Sequence, residues 1–351
     1  MPDFTSALFL DWRHESADLG GWSSLTTGLP AAADESPAAI ALGRRIARAQ
    51  GAAAAVVHRS TLHALTDLLT LSARAGSVVF VDRDAYPLAR TAAMGVAGRV
   101  PVHTFGHHDY PGLGASVDYL GGRPLVVTDG WCTSCNRPAP LPELEQIAHD
   151  HGGLLVVDDT QGAGILGDRS SGHPSFGCGG GGTFRWLGAA PGGAVQIVSL
   201  AKAYGAPLAV TAGPERVIDR LVAYGTRSSS SPPSAADLAA AGRATADERE
   251  NDLRRDLLAR LVLRLRRGMR RLGLAVVGFP FPVVAVVLPA RDLAALHARL
   301  MRAGVRALLL HGSCLRRPAL AFAVTARHVD ADIDQALAVL DAERLTRRAV
   351  R

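Results

Sequence analysis

The feature of the sequence that most constrains its fold is a regular alternation of short apolar runs with longer amphipathic stretches. The stretches Thr61–Ala75 and Leu141–His151 carry apolar residues at helical spacing. Short runs rich in Val, Leu and Ile that alternate with helices predict an α/β fold with a mostly parallel sheet. Seven runs are predicted as strands: Ala53–Val57, Val78–Val81, Val100–Phe105, Leu125–Thr128, Leu154–Asp158, Val195–Leu200 and Leu208–Ala212.

The chain of 351 residues is long enough for a large domain and a smaller one. We predict an N-terminal segment over 1–35, a large domain over 36–246 and a small α+β C-terminal domain over 247–351. The Gly-rich segment Gly177–Gly182 is interpreted as a mobile loop or linker within the large domain. The C-terminal elements are predicted as a charged helix Asp247–Arg271, a strand pair in Leu274–Leu288 broken by Pro280 and Pro282, helix Asp292–Ala303, strands Val305–Leu310 and Leu320–Thr325, and helix Ala331–Leu345.

The composition indicates where the protein is located and which partners it does not bind. The N-terminus has no basic stretch followed by an apolar run, and no segment has about 18 uninterrupted apolar residues. Four scattered cysteines do not form a disulfide framework, so we expect a soluble, cytoplasmic protein that contacts no membrane. The net charge of +6 is densest in Arg260–Arg271, which is interpreted as a solvated helix face, and no nucleic-acid partner is expected.

Lysine is almost absent from the chain. Of 38 Lys and Arg residues, only Lys202 is a lysine. A guanidinium cannot condense with an aldehyde, whereas a primary amine can. Lys202 is therefore a strong candidate for covalent chemistry, and the alternative is a surface lysine retained by chance.

Ligands of parallel α/β sheets bind beyond the carboxyl ends of the strands, and four such segments suit the cofactor pyridoxal phosphate (PLP). In the first, Ser199-Leu-Ala-Lys202 follows an apolar strand. Lys202 would form the Schiff base with PLP and later shuttle the α-proton of the substrate as a general base. Ser199 is placed to hydrogen-bond the phosphate.

The second segment, Leu154-Leu-Val-Val-Asp158-Asp-Thr-Gln161, ends a buried strand in two carboxylates. PLP is an electron sink only while its ring nitrogen stays protonated, and a buried Asp beside that nitrogen favours the charged form. We choose Asp158 for this role and Gln161 as a donor to the phenolic oxygen of the ring. The alternatives for the paired acids are a helix N-cap and a metal ligand.

The third segment runs through Ser60 and Thr61 into a helix, whose N-terminal N–H groups and hydroxyls form a phosphate site. Simple N-capping is the alternative interpretation. The fourth segment places Tyr86 after another strand, where its ring could stack on the pyridine, although a single Tyr also serves in packing.

Several motifs together resemble the α-oxoamine synthases, the family of 8-amino-7-oxononanoate synthase, which belongs to PLP fold type I, the aspartate-aminotransferase-like fold. The resemblance covers roughly residues 36 to 345 and is most specific in its middle third. It rests on Val127-Thr-Asp-Gly130, Ala139–Leu144, the run from His151 to Gly167, Ser199–Lys202, and Thr325-Ala-Arg-His328 with Asp330–Asp334.

The resemblance implies roles for individual residues. Lys202 matches the Schiff-base lysine, and Asp158 matches the aspartate at the ring nitrogen. Tyr86 stands where the family has a ring-stacking histidine, and Gln161 stands where it has a histidine that contacts the phenolic oxygen. Both replacements keep the contact chemically feasible.

The resemblance also implies a homodimer whose active sites lie at the subunit interface. Ser229 and Ser230 match a Ser/Thr-rich turn that reaches the phosphate from the partner subunit; by itself this run would be read as a flexible polar turn. Both are therefore expected to bind the cofactor.

The departures from the family concern the substrates. Ala321 stands where the family has an arginine for the substrate carboxylate, and Arg316 or Arg317 is the candidate substitute. The segment Trp131-Cys-Thr-Ser-Cys-Asn136 replaces the family's residues after Thr-Glu-Gly. Its Cys-x-x-Cys pattern suggests a thiol pair or half a zinc site, but the sequence shows no second ligand pair, so no metal is expected.

The resemblance favours a transferase that acts on an α-amino acid through an external aldimine and a quinonoid and forms a C–C bond with a second, unidentified substrate, an acyl thioester in the family. An aminotransferase and a lyase or β,γ-substitution enzyme stay open as alternatives. A non-catalytic PLP-fold sensor is disfavoured, because a degenerate member should lose the residues at Lys202 or Asp158, and this chain keeps both.

Overall fold

The computed structural model of the chain describes residues 1–15, 19–21, 25, 36–170, 176–288, 290–310, 312, 314–315 and 317–349. Its largest sheet contains seven strands: β1 (Ala54–His58), β2 (Ser77–Asp82), β3 (Val102–Phe105), β4 (Arg123–Asp129), β7 (Leu154–Asp158), β8 (Val195–Ser199) and β9 (Ala209–Gly213). β5 (Trp131–Cys132) and β6 (Arg137–Pro138) form a separate hairpin. The order across the large sheet is β1-β9-β8-β7-β4-β2-β3, and only β9 pairs antiparallel with its neighbours.

All seven strands lie where the sequence predicts them, and their ends differ by at most two residues. For the central strands the agreement follows from burial on both faces, which requires nearly continuous apolar runs, whereas the edge strand β3 has two exposed residues. In β2, Val79 packs in an apolar cluster with Leu65 and Leu68, while Phe80 packs in another cluster with Leu113. The prediction of a mostly parallel α/β sheet is confirmed.

Helices cover both faces of this sheet. Ser60 caps one of them by accepting a hydrogen bond from the backbone N–H of His63. The helices of this part are α1 (Pro37–Gln50), α2 (Thr61–Ser72), α3 (Pro87–Met94), α4 (Tyr110–Leu120), α5 (Leu141–Asp150), α6 (Thr183–Trp186), α7 (Glu215–Tyr224) and α8 (Ala235–Ala244).

The C-terminal part is a smaller α+β unit, as predicted. Its three-stranded antiparallel sheet has the order β10-β12-β11. The elements are α9 (Glu248–Arg271), β10 (Val283–Val287), α10 (Ala290–Arg302), β11 (Leu308–Leu310), β12 (Ala319–Ala323) and α11 (Asp330–Ala349).

The strand pair predicted in Leu274–Leu288 is wrong in part. Only β10 is a strand, and Val276 contributes a single bridge to Val286. Pro280 and Pro282 have no N–H group to donate to a ladder. The carbonyls of residues 277–279 instead accept hydrogen bonds from the buried guanidinium of Arg266.

The first residues of the chain pack against the C-terminal unit. Asp3 bridges to Arg306, and the ring of Phe4 stacks on His328 with centroids 4.4 Å apart. One continuous apolar cluster includes Leu42 and Val284, so packing alone does not divide the chain. The boundaries at residues 36 and 247 therefore stay a prediction.

The segment Gly177–Gly182 is not a linker. Cys178 exchanges two backbone hydrogen bonds with Asp168, and Gly182 donates to the carbonyl of Leu166. A Cβ on Gly177 would lie 2.3 Å from the carbonyl oxygen of Gly167. Glycine is required here because two backbone segments approach each other closely.

Candidate active site

A cavity of about 160 Å³ lies at the carboxyl ends of β4, β7 and β8. The structure brings together six of the residues that the sequence predicts for the site, and it adds four others. The lining residues are Thr61, Tyr86, Leu88, Asp129, Asp158, Thr160, Gln161, Ser199, Ala201 and Lys202.

Lys202 lies three residues after the end of β8, in a turn closed by hydrogen bonds from the N–H groups of Tyr204 and Ala206 to the carbonyl of Leu200. Burial lowers the pKa of Lys202, and the nearby carboxyls of Asp158 and Asp129 only partly oppose this shift. The neutral amine, which is the nucleophilic form, is therefore more populated than in an exposed lysine.

The side chain of Asp158, the last residue of β7, and that of the next residue, Asp159, lie in different surroundings. Asp158 lines the cavity and accepts a hydrogen bond of 3.0 Å from the backbone N–H of Thr160. Burial raises the pKa of Asp158, although the Thr160 hydrogen bonds and Lys202 act against this. Asp159 is fully buried and accepts hydrogen bonds from the N–H and the hydroxyl of Thr183, at 2.7 and 2.6 Å. It thus holds the first residue of α6, although the N-cap residue of that helix is Gly182.

Three glycines make room for Asp159. A Cβ added to Gly130, Gly162 or Gly182 would lie 2.1 to 2.4 Å from one of its carboxyl oxygens. Two of these glycines stand in the motifs that carry the family resemblance. The close packing explains why those positions require glycine.

Asp129 is a site residue that the sequence-based prediction missed. It ends β4 directly opposite Asp158 of β7, and both of its carboxyl oxygens lie 3.1 Å from the backbone N–H of Tyr86. Burial and the charge of Asp158 raise the pKa of Asp129 well above its usual range. Its position at the end of a predicted strand was the signal that could have identified it.

The remaining polar groups of the cavity hold one another in place. The hydroxyl of Thr160 accepts a hydrogen bond from the N–H of Ser199, and Ser199 Oγ accepts one from the N–H of Ala201. Gln161 Oε1 is buried with no hydrogen-bond partner among the described residues. An unsatisfied buried amide oxygen at this position fits a polar ligand in the cavity.

Tyr86 and Thr61 line the cavity, but Ser60 does not. The Tyr86 ring is half exposed, and its centroid lies 5.9 Å from Lys202 Nζ. Ser60 Oγ instead contacts His63 Nδ1 at 2.9 Å while capping α2. The helix therefore presents Thr61 and its N-terminal end to the cavity.

None of the other predicted residues that the structure describes lines this cavity. Ser230 lines a second cavity with His58 and Arg59, and Ser229 ends the 3-10 turn Thr226–Ser229. Arg317 is exposed and does not line the Lys202 cavity. Arg316 lies outside the described residues.

Ala321, at the position of the family's arginine, is fully buried in the small sheet and pairs with Ala285 and Leu308. A neutral side chain enclosed in a sheet cannot bind a carboxylate by charge.

The expectation of no metal stays a prediction. It rested on the lack of a second ligand pair near Cys132 and Cys135, and the fold brings His107 and Cys314 to them.

Comparisons with known proteins assign the family. A model described as aminotransferase class I and II matches residues 25–340. The 8-amino-7-oxononanoate synthase of Halorhodospira halophila is 32% identical over 314 residues, which are 86% of this chain and 74% of that protein. The enzyme of the same name from Nitrosococcus oceani is 35% identical over 181 residues, which are 50% of this chain and 45% of that protein. The chain thus spans less than half of one relative and about three quarters of the other.

Solved structures show the same fold. The 8-amino-7-oxononanoate synthase of Francisella tularensis superimposes with a TM-score of 0.78 at 18% identity, covering 99% of both chains. Sphingomonas wittichii serine palmitoyltransferase has a TM-score of 0.80 at 17% identity and covers 96% of this chain and 85% of that chain.

The chain belongs to the aminotransferase class I and II family. Within that family its relatives are of the α-oxoamine synthase type, its fold is PLP fold type I, and its cofactor is PLP. The predictions of family, fold and cofactor are confirmed. In the described part of the chain, no helix has both the length and the apolar character needed to cross a membrane.

The pKa of Asp159 predicts how the free energy of unfolding changes with pH. Burial raises its pKa from 3.8 to about 7 despite the hydrogen bonds from Thr183. A pKa raised by folding stabilises the native state below about pH 4, and this contribution is lost as the pH rises through about 7. Asp159→Asn cannot ionise, so we expect the variant to lose about 2 kcal/mol less free energy of unfolding than the wild type between pH 5 and pH 8.

Urea titrations at both pH values measure this difference. The control Asp219→Asn changes an exposed acid and should keep the wild-type pH dependence. Equal losses in Asp159→Asn and wild type would contradict the raised pKa.

Proposed function

We propose that this protein is a PLP-dependent transferase that joins the α-carbon of an amino acid to the acyl group of a thioester. The observation that carries the proposal is the meeting of the single lysine of the chain with Asp158 in one buried cavity, in a chain related to 8-amino-7-oxononanoate synthases. When bound, PLP supplies the electron sink that accepts the electron pair left at the α-carbon.

Lys202 holds the cofactor and moves the proton. Its lowered pKa favours the neutral amine, which can bind the cofactor aldehyde covalently. The same Nζ atom lies within the cavity and would serve as a base for the proton on the α-carbon of the substrate. The rest of the cavity contains carboxyl, hydroxyl and amide groups, so Lys202 is the only amine available there.

Asp158 holds a proton on the ring nitrogen. Asp158 and Asp129 lie side by side with raised pKa values, so the pair resists carrying two negative charges. A cationic ring nitrogen stabilises ionised Asp158, and Asp129 stays fixed by the N–H of Tyr86. The two acids would thereby carry one negative charge between them, which would balance the single positive charge of the ring nitrogen.

Tyr86, Gln161 and Thr61 orient the cofactor. The Tyr86 ring would stack on the pyridine, and the Gln161 amide would donate to the phenolic oxygen. The N-terminus of α2, with Thr61, binds the phosphate together with Ser199, while Ser60 supports that helix end as its cap. Ala321 offers no charge to the carboxylate of the substrate.

The active protein is proposed to be a homodimer. Ser229 and Ser230 do not line the Lys202 cavity of their own chain, which fits a role at the phosphate of the partner's site. We also propose a cytoplasmic location, because Cys132, Cys135 and Cys314 are thiols rather than disulfides and such thiols persist in reducing compartments.

Lys202→Ala should abolish covalent attachment of the cofactor. Wild type mixed with PLP, reduced with borohydride and digested should show the pyridoxyl group on the peptide of Lys202. Lys202→Arg is the matched control for charge, and it should also lack the adduct because a guanidinium does not condense with the aldehyde. An adduct of wild-type yield in either variant, at any position, would refute the role of Lys202.

Release of thiol from acyl-coenzyme A tests the reaction. We expect release that requires both PLP and one amino acid, and a reduction on the order of 100-fold in Asp158→Asn, because a neutral ring nitrogen is a poor electron sink. Conversion of the cofactor to pyridoxamine phosphate by an amino acid alone would instead establish an aminotransferase. Release of ammonia from the amino acid alone would establish a lyase.

Mixing two variants tests the shared site. Lys202→Ala lacks the lysine, and the double variant Ser229→Ala/Ser230→Ala lacks the proposed phosphate ligands. After the two are unfolded together and refolded in equal amounts, about one quarter of the sites should combine the intact groups of both chains and recover wild-type affinity for PLP. Spectroscopic titration with PLP measures that fraction. No recovery in a verified dimer would mean that each chain completes its own site.

A further inference from the structure

The hairpin that follows β4 presents two cysteines to one point. Cys132 ends β5, Cys135 lies in the turn, and Cys132 pairs with Arg137 across the hairpin. Asn136 has a φ of 49°, a left-handed conformation that lets the chain reverse directly after Cys135. A Cys-x-x-Cys turn of this kind is half of a tetrahedral metal site.

The fold supplies two further side chains from distant parts of the sequence. His107 comes from the loop between β3 and α4, and Cys314 comes from the connection between β11 and β12. The ligand atoms of His107, Cys132, Cys135 and Cys314 all lie within 4.8 Å of one another. Three sulfurs and one imidazole nitrogen are a typical ligand set for structural zinc.

The distances fit a tetrahedron around one ion. Cys132 Sγ and Cys314 Sγ are 3.7 Å apart, and Cys135 Sγ is 3.6 Å from His107 Nε2. Zinc bonds of about 2.3 Å to sulfur and about 2.0 Å to nitrogen give edges of about 3.8 Å between two sulfurs and about 3.6 Å between sulfur and nitrogen. A disulfide would require about 2.05 Å between the sulfurs, so the cluster has the spacing of ligands rather than of a covalent bond.

Asp82 orients the imidazole. Its buried carboxylate lies 2.9 Å from His107 Nδ1 and also accepts hydrogen bonds from the Thr128 hydroxyl and the His108 N–H. With Nδ1–H donating to Asp82, the lone pair of Nε2 is directed to the three sulfurs. A carboxylate behind a histidine ligand is the usual arrangement at protein zinc sites.

We propose that His107, Cys132, Cys135 and Cys314 bind one structural Zn²⁺. All four positions are filled by protein, which leaves none open for a substrate, so the ion holds structure and performs no catalysis. It ties the exits of β3 and β4 to the connection that carries Arg317, three residues beyond Cys314. This proposal is independent of the reaction that the PLP site performs.

Metal content of the full-length protein tests the site. After purification under reducing conditions, reconstitution with Zn²⁺ and removal of loose metal by desalting, wild type should hold about one zinc per chain. Cys314→Ser should lose at least about nine tenths of it, since the remaining three ligands bind far more weakly. Cys178→Ser, which changes the cysteine outside the cluster, is the control and should keep the full equivalent.

A second measurement does not depend on the folding of a variant. Wild type loaded with Co²⁺ in place of zinc should show the visible bands of tetrahedral thiolate coordination, and added Zn²⁺ should remove them. Asp82→Asn should keep the bands but weaken Zn²⁺ affinity by roughly 10- to 100-fold, the effect of losing the partner that orients a ligand.

The proposal is overturned if reconstituted wild type holds no stoichiometric metal and shows no cobalt bands. It is also overturned if Cys314→Ser retains the full equivalent of zinc. Loss of two titratable thiols from metal-free wild type under air, with no zinc bound under reducing conditions, would establish a redox pair of cysteines instead.

Discussion

The parallel pairing of β4 with β7 is the constraint on which the active site depends. This register sets Asp129 directly opposite Asp158, and the next strand, β8, leads into the turn of Lys202. Two buried carboxyls and one buried amine thereby share a small volume, and the pKa values of these three groups are all shifted from their ordinary values. The side chains are too short to reach one another from other strands, so a slip of one residue in this register would separate them.

Burial determines how far the sequence predicts the fold. Central strands buried on both faces, such as β2, must be apolar throughout, and they were located to within two residues. Prediction failed where the structure depends on partners outside the segment itself. The carbonyls after Val276 bind Arg266 instead of a second strand, and Gly177–Gly182 is held by the backbone at 164–168. Local composition carries no signal for either contact.

The cofactor cavity and the cysteine cluster also differ in how far the local sequence predicts them. Lys202, Asp158, Tyr86 and Gln161 could be identified because each follows a strand with a residue type suited to one part of the cofactor, and all four line one cavity. Arg317, chosen for its charge and its place in the sequence, is exposed and away from that cavity. The cysteine cluster could not be assembled from spacing, because Cys132 and Cys314 are 182 residues apart. Only the docking of the C-terminal unit brings them together.

The cysteine cluster and the PLP cavity lie on the same edge of one sheet, and Asp82 connects them. Its carboxylate faces His107, and it also accepts the N–H of Asp84 at 2.9 Å, at the start of the turn that leads to Tyr86. The N–H of Tyr86 then binds Asp129 in the cavity. Two neighbours on β4 hold the two ends of this turn. The hydroxyl of Thr128 donates to Asp82 at its start, and the carboxyl of Asp129 accepts the N–H of Tyr86 at its end. An ion that fixes His107 therefore restrains Asp82 and the turn that positions Tyr86.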